Sequence, residues 1–134
     1  MNYSDTIQWL FGLQKYGIKL GLDTITRLLE CLDNPHSGIP CIHIGGTNGK
    51  GSTAAFLCEI LQNAGYRAGL FTSPHLIDFT ERIRINAECI GEADVVRLTE
   101  QLRAVCERCG LKTVTFFEFV TAMAIQFFLS LIHI

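Results

Sequence analysis

Residues 45–52 read Gly-Gly-Thr-Asn-Gly-Lys-Gly-Ser, a string that constrains this chain more than any other stretch. Ahead of it, after Pro40, lies the short apolar run Cys41-Ile42-His43-Ile44. Behind it, Ala54, Leu57, Ile60, Leu61 and Ala64 recur at helical spacing over residues 51–64. Strand, glycine-rich turn and helix in that order form a phosphate cradle. Glycines let the backbone approach an anion, its N–H groups converge on the oxygens, and the helix N-terminus adds a favourable dipole. Lys50 supplies positive charge for the terminal phosphates, and a nearby hydroxyl can hold Mg²⁺. The stretch is read as a nucleotide-binding loop.

The string departs from the ordinary Walker A pattern. There a hydroxyl residue follows the lysine directly and a glycine stands five positions before the second glycine. Here Gly51 follows Lys50, the hydroxyl waits until Ser52, and Ile44 stands five before Gly49. A plain strand-to-helix turn is the competing reading. The coincidence of lysine, hydroxyl and strand–helix context weighs against it.

Arg67 to Phe71 reads as a second strand after Gly65, completing a βαβ unit with the expected right-handed crossover. Ser4 or Asp5 is placed to cap a first helix through Leu10. Leu22, Ile25, Leu28, Leu29 and Leu32 form a helical stripe ending at Asn34-Pro35. Residues 81–90 alternate as a half-exposed hairpin turning near Asn86-Ala87-Glu88; alternation favours a solvated face for Arg82 and Arg84 over pairing with a substrate carboxylate, and their role stays open. Val95, Leu98, Leu102, Val105 and Cys109 predict an amphipathic helix over roughly 93–109. From Phe116 the chain is apolar on nearly every face. Glu118, Gln126 and His133 interrupt it, so a buried helix fits better than a bilayer span of about 20 residues. The fold class is α/β, with a mostly parallel sheet and flanking helices.

Composition sets outer bounds. The 134 residues are 49% hydrophobic and 18% charged, which suits one domain with its own core. A net charge of −2 and a pI near 6.0 argue against a nucleic-acid partner bound through a basic surface. Met1 leads into Asn2-Tyr3-Ser4-Asp5, without the regions of a signal peptide. Six dispersed cysteines then read as reduced, mostly buried thiols in a cytoplasmic protein. The pair Cys106 and Cys109 lacks the second ligand pair of a zinc site.

Three blocks in order carry a family resemblance. Gly46-Thr47-Asn48-Gly49-Lys50-Gly51-Ser52 comes first. Thr72-Ser73-Pro74-His75-Leu76 with Glu81-Arg82-Ile83-Arg84-Ile85-Asn86 comes second, and Thr115-Phe116-Phe117-Glu118-Phe119 third. Met1-Asn2-Tyr3 and Leu32-Asp33-Asn34-Pro35 fit as well. Together they resemble the folylpolyglutamate synthase/dihydrofolate synthase family of the Mur ligase superfamily over residues 1–128. On this resemblance, residues 1–128 are a partial N-terminal ATP-binding domain. Residues 129–134 depart from the pattern and are expected to be a foreign tail.

The resemblance implies an ATP-dependent carboxylate–amine ligase that adds L-glutamate to folate, to dihydropteroate, or to both through an acyl phosphate. ATP and Mg²⁺ are the implied cofactors, with no membrane or nucleic-acid partner and a monomeric full-length enzyme. Nucleotide would be held by Thr47, Asn48, Gly49, Lys50, Gly51 and Ser52, with Lys50 as the catalytic cation. Ser73 and Ser52 would be Mg²⁺ ligands. Gly21, Leu22, Thr115 and Phe116 would border the substrate, with Phe117 and Phe119 assigned to the core. His43 reads as a core histidine, while the role of His75 stays open. The fragment alone is expected to be inactive as a ligase, and its last helix to expose a large apolar patch. The alternatives are a Mur-type cell-wall peptide ligase, which usually carries a hydroxyl residue after the lysine, and a non-catalytic nucleotide-binding fragment.

Overall fold

The structure, a computed structural model, describes residues 1–18, 20–75 and 77–132. Besides three short 3-10 turns, the described chain has five α-helices and three short strands: α1 (Tyr3–Gly12), α2 (Asp23–Cys31), α3 (Lys50–Asn63), β1 (Gly69–Phe71), β2 (Ile83–Ile85), β3 (Glu88–Cys89), α4 (Glu92–Arg108) and α5 (Phe116–Ile132). The core forms where α1, α2, α4 and α5 meet. Leu10, Leu28, Val95, Leu98, Leu102, Phe119, Val120 and Met123 are all at most 2% exposed. Each such side chain stabilises the fold by about 1.5 to 3 kcal/mol relative to its exposed state. The predicted stripe on α4 is therefore the buried one. The first helix is capped by Asn2, whose side chain accepts from Asp5 N at 2.8 Å, rather than by Ser4 or Asp5.

The α/β class holds, but the strands pair differently from the expectation. Among the described residues the sheet has the order β1-β2-β3, with both pairings antiparallel. Leu70 faces Arg84 in the register, and the β2–β3 turn places Asn86 and Ala87 at φ of 50° and 69°. That is the twist a tight hairpin needs. Residues 41–44 carry no ladder. A strand is stable only when its N–H and C=O groups find a neighbour, and no described strand pairs with these residues. His43 and Cys41 are correspondingly exposed, not core. Gly69 is required by contact: a Cβ there would lie 2.8 Å from Phe128 of α5.

Three further expectations are corrected. Helix α5 is largely covered by its neighbours. Exposed apolar surface sits on α3 instead, where Phe56 and Ile60 are 70% and 63% exposed. Phe119 is core as expected, whereas Phe117 is 58% exposed. The cysteines are not all free, because the packing of the ends of α2 and α4 joins Cys31 to Cys109 in a disulfide. Leu129–Ile132 continue α5 without a break. The remainder of the expected tail, residues 133–134, lies outside the described residues.

Candidate functional site

The glycine-rich loop opens α3 without any side-chain cap. Gly49, the N-cap, has φ of 75° and Gly46 has φ of 144°, conformations that favour glycine. The first helical bond is Thr53 N to Gly49 O at 2.9 Å. The N–H groups of Lys50, Gly51 and Ser52 thus precede the helical ladder, as at any helix start. No acidic residue lies in this first turn, and residues 45–53 are exposed throughout. Side chains built at Gly45, Gly46, Gly49 or Gly51 would meet nothing within 4 Å. An open cradle of backbone donors with Lys50 at its edge is suited to a polyanion.

Past α3 the chain reverses at Gly65, and β1 runs back along the helix, with Cys58 Sγ 3.8 Å from Ala68 O. The C-terminal end of β1 thus points towards the end of α3 that carries the loop. Ser73 lies exposed two residues beyond that strand, followed by a cis bond to Pro74. Thr72 N donates to Arg82 O at 3.0 Å, tying this turn to the start of β2.

Arg82 is where the alternation of the sequence misleads. Asp78 caps a 3-10 turn over Phe79–Arg82, with Glu81 Oε2 accepting from Asp78 N at 2.8 Å. This turn swings Arg82 inward before β2 begins. Its side chain is 8% exposed, with Nε donating to His75 Nδ1 at 2.7 Å and Cζ 5.1 Å from the Phe116 ring centre. Burial pushes its pKa below the usual guanidinium value. Phe11 stacks on Phe116 at 5.4 Å and lies 5.8 Å from the His75 ring. The D-x-x-E spacing of a capping box at Asp78 and Glu81 was the available signal that the strand starts later.

Of the four residues expected at the substrate, Phe116 belongs to this aromatic cluster. Thr115 is 3% exposed and caps α5: its Oγ1 donates to Glu118 Oε1 at 3.0 Å and accepts from Glu118 N at 3.2 Å. Gly21, with φ of 106°, and Leu22, 72% exposed, form the open approach to α2. A surface hollow of about 430 Å³, lined by Arg67, Glu88 and Asp94 among others, contains none of the expected site residues. Among the described residues no cluster of three or more His, Cys, Asp or Glu is placed to hold a metal ion. No helix among them is long and apolar enough to cross a membrane.

Loop, turn and helical layer together define an α/β segment of the Mur ligase class. The chain matches no family profile. It is 40% identical over 129 residues to the dihydrofolate synthase/folylpolyglutamate synthase of Bacillus subtilis (strain 168), covering 94% of this chain and 30% of the relative. It is 42% identical over 111 residues to the dihydrofolate synthetase of Saccharomyces cerevisiae, covering 83% and 26%. The crystal structure of folylpolyglutamate synthase from Thermotoga maritima superposes with a TM-score of 0.87 at 43% identity, covering 96% of this chain and 30% of that one. A complex of such a synthase with AMPPCP and folate gives 0.84 at 37% identity, covering 96% and 32%. The chain belongs to the folylpolyglutamate synthase/dihydrofolate synthase family. It spans about 30% of the length of the Bacillus relative.

Proposed function

We propose that this chain is the nucleotide-holding part of an ATP-dependent ligase that joins L-glutamate to folate, to dihydropteroate, or to both. The carrying observation is the uncapped start of α3, with two positive-φ glycines and Lys50 at its head. A relative of the same fold binds AMPPCP and folate together, which supports the pairing of nucleotide and folate. The cell-wall peptide ligase alternative gains nothing from these relatives.

In the proposed reaction the substrate carboxylate attacks the γ-phosphate of ATP, ADP leaves, and the acyl phosphate forms. The glutamate amine then displaces inorganic phosphate to give the amide. Backbone N–H groups of residues 47–52 orient the phosphates, and Lys50 offsets their charge; positioning and neutralisation are what phosphoryl transfer requires. The exposed hydroxyls of Ser52 and Ser73 suit a hard cation that prefers oxygen ligands. Bound there, Mg²⁺ would neutralise charge on the phosphates. Thr115, Phe116, Gly21 and Leu22 complete the reading as the substrate border, the first two nearly buried and the last two in an open approach to α2. A cytoplasmic, monomeric full-length enzyme accords with it, and the 134 residues alone are expected to bind nucleotide without turning it over.

Equilibrium dialysis of the purified chain with Mg-ATP tests the reading. Saturable binding is expected in the wild type and loss of it in Lys50→Ala. Equal binding by both proteins would remove the loop from the site. Transfer of labelled glutamate to dihydropteroate by the chain alone would overturn the claim of inactivity.

A further inference from the structure

Arg82 is a nearly buried cation to which no carboxylate among the described residues is paired. A guanidinium carries five N–H donors in a planar fork. The Nε–H is taken by His75 Nδ1 at 2.7 Å. Phe116 lies against the guanidinium, and Phe11 and Phe79 flank the imidazole. These contacts fix the plane of the fork but supply no acceptor to its two η-nitrogens. The wholly buried, unpartnered side-chain polar atoms among the described residues are Thr99 Oγ1 and Gln126 Oε1, so the η edge of Arg82 remains reachable from outside. Burying a cation is costly unless a counter-charge meets it. The geometry of the open edge matches two oxygens of one planar anion.

We propose that the η edge of Arg82 receives the carboxylate of the bound acceptor substrate, between the Ser73–Pro74 turn and the Phe116 ring. A carboxylate is favoured over a phosphoryl group because the flank of the cation is apolar, the Phe116 ring centre lying 5.1 Å from its Cζ. Phe11 packs on that ring at 5.4 Å and 28°, and such an apolar flank suits an organic acid better than a hydrated phosphate. The Thr72 N to Arg82 O bond sets the guanidinium's own backbone beside the turn that carries Ser73. The assignment rests on the ligase reading for the identity of the acid. It makes Arg82 a specificity-determining residue, selecting acceptors that present a carboxylate there.

Calorimetric titration of the full 134-residue chain with three probes tests it: pteroate, the same pterin-aniline without its carboxylate, and Mg-ATP. In Arg82→Gln, pteroate binding should weaken by about tenfold or more, with the carboxylate-free compound and Mg-ATP unchanged. Arg82→Lys keeps the charge but not the fork and should recover only part of the preference. It also serves if the glutamine variant fails to fold. Unchanged pteroate binding in a folded variant, or equal loss of pteroate and its carboxylate-free analogue, would overturn the proposal. So would a wild type that binds no pteroate, or variants that lose Mg-ATP while keeping pteroate, the mark of a phosphoryl partner. A wild type that binds pteroate but no Mg-ATP would instead defeat the ligase reading and leave Arg82 in place.

Discussion

The Tyr3 hydroxyl donates to Asp78 Oδ1 at 2.6 Å, across 75 positions of sequence. The same Oδ1 accepts from Thr80 N at 3.2 Å, so the first helix anchors the turn that delivers Arg82. Removing the hydroxyl with Tyr3→Phe leaves ring packing in place and deletes one bond to a carboxylate. The expected cost is about 1 to 2 kcal/mol, read from urea unfolding at neutral pH. A smaller effect than a few tenths would mean that water replaces the phenol without loss.

Asp78 also sets an acid dependence. The Tyr3 hydrogen bond, then that of Thr80, holds its carboxyl below the ordinary carboxylate value. A group whose pKa is lower folded than unfolded contributes stability above its unfolded pKa, and that contribution is lost as pH falls through the folded one. Unfolding free energy should therefore drop on acidification below about pH 4, where unfolded aspartate begins to protonate. The drop should be smaller in Tyr3→Phe. Parallel acid limbs in the two proteins would refute the coupling.

Two loop glycines should answer differently to alanine. Gly49 has φ of 75°, so alanine there costs about 1 to 2 kcal/mol of backbone strain even in open space. Gly51 lies within α3 with no positive φ and nothing within 4 Å of a Cβ. Alanine at Gly51 is expected to stabilise the helix by roughly 0.5 to 1 kcal/mol. Thermal midpoints moving in opposite directions are the check.

At the start of α5, Thr115→Ala removes the cap shared with Glu118 and should cost about 1 kcal/mol. Thr115→Ser should restore most of it. If serine performs no better than alanine, the methyl group's packing matters more than the hydroxyl.

The Cys31–Cys109 disulfide closes a span of 78 residues. Chain entropy predicts that reducing it lowers stability by about 4.5 kcal/mol. Ellman titration of protein purified without reductant should find four thiols in denaturant, and six after reduction. Six before reduction would show that the bridge is not formed under those conditions.

What the sequence determined by itself is local. Helical periodicity found α2 and α4 because burial on one face repeats at threes and fours, while α5 was marked by a run apolar on nearly every face. The glycines at 46 and 49 announced the loop because few other residues adopt its backbone. The hairpin at 83–89 followed from alternation and a turn that Asn86 can make. Tertiary structure decided everything that needs a distant partner. Residues 41–44 have a strand's composition, yet a strand requires a neighbour to accept its hydrogen bonds, and no described strand supplies one. Arg82 belongs by alternation to a wet face, yet the cap at Asp78, itself held by Tyr3, turns it under Phe116. Cys31 and Cys109 meet only because two helix ends pack together. Composition along the chain carries no record of which surfaces will touch, since burial is a property of pairs of segments rather than of either one.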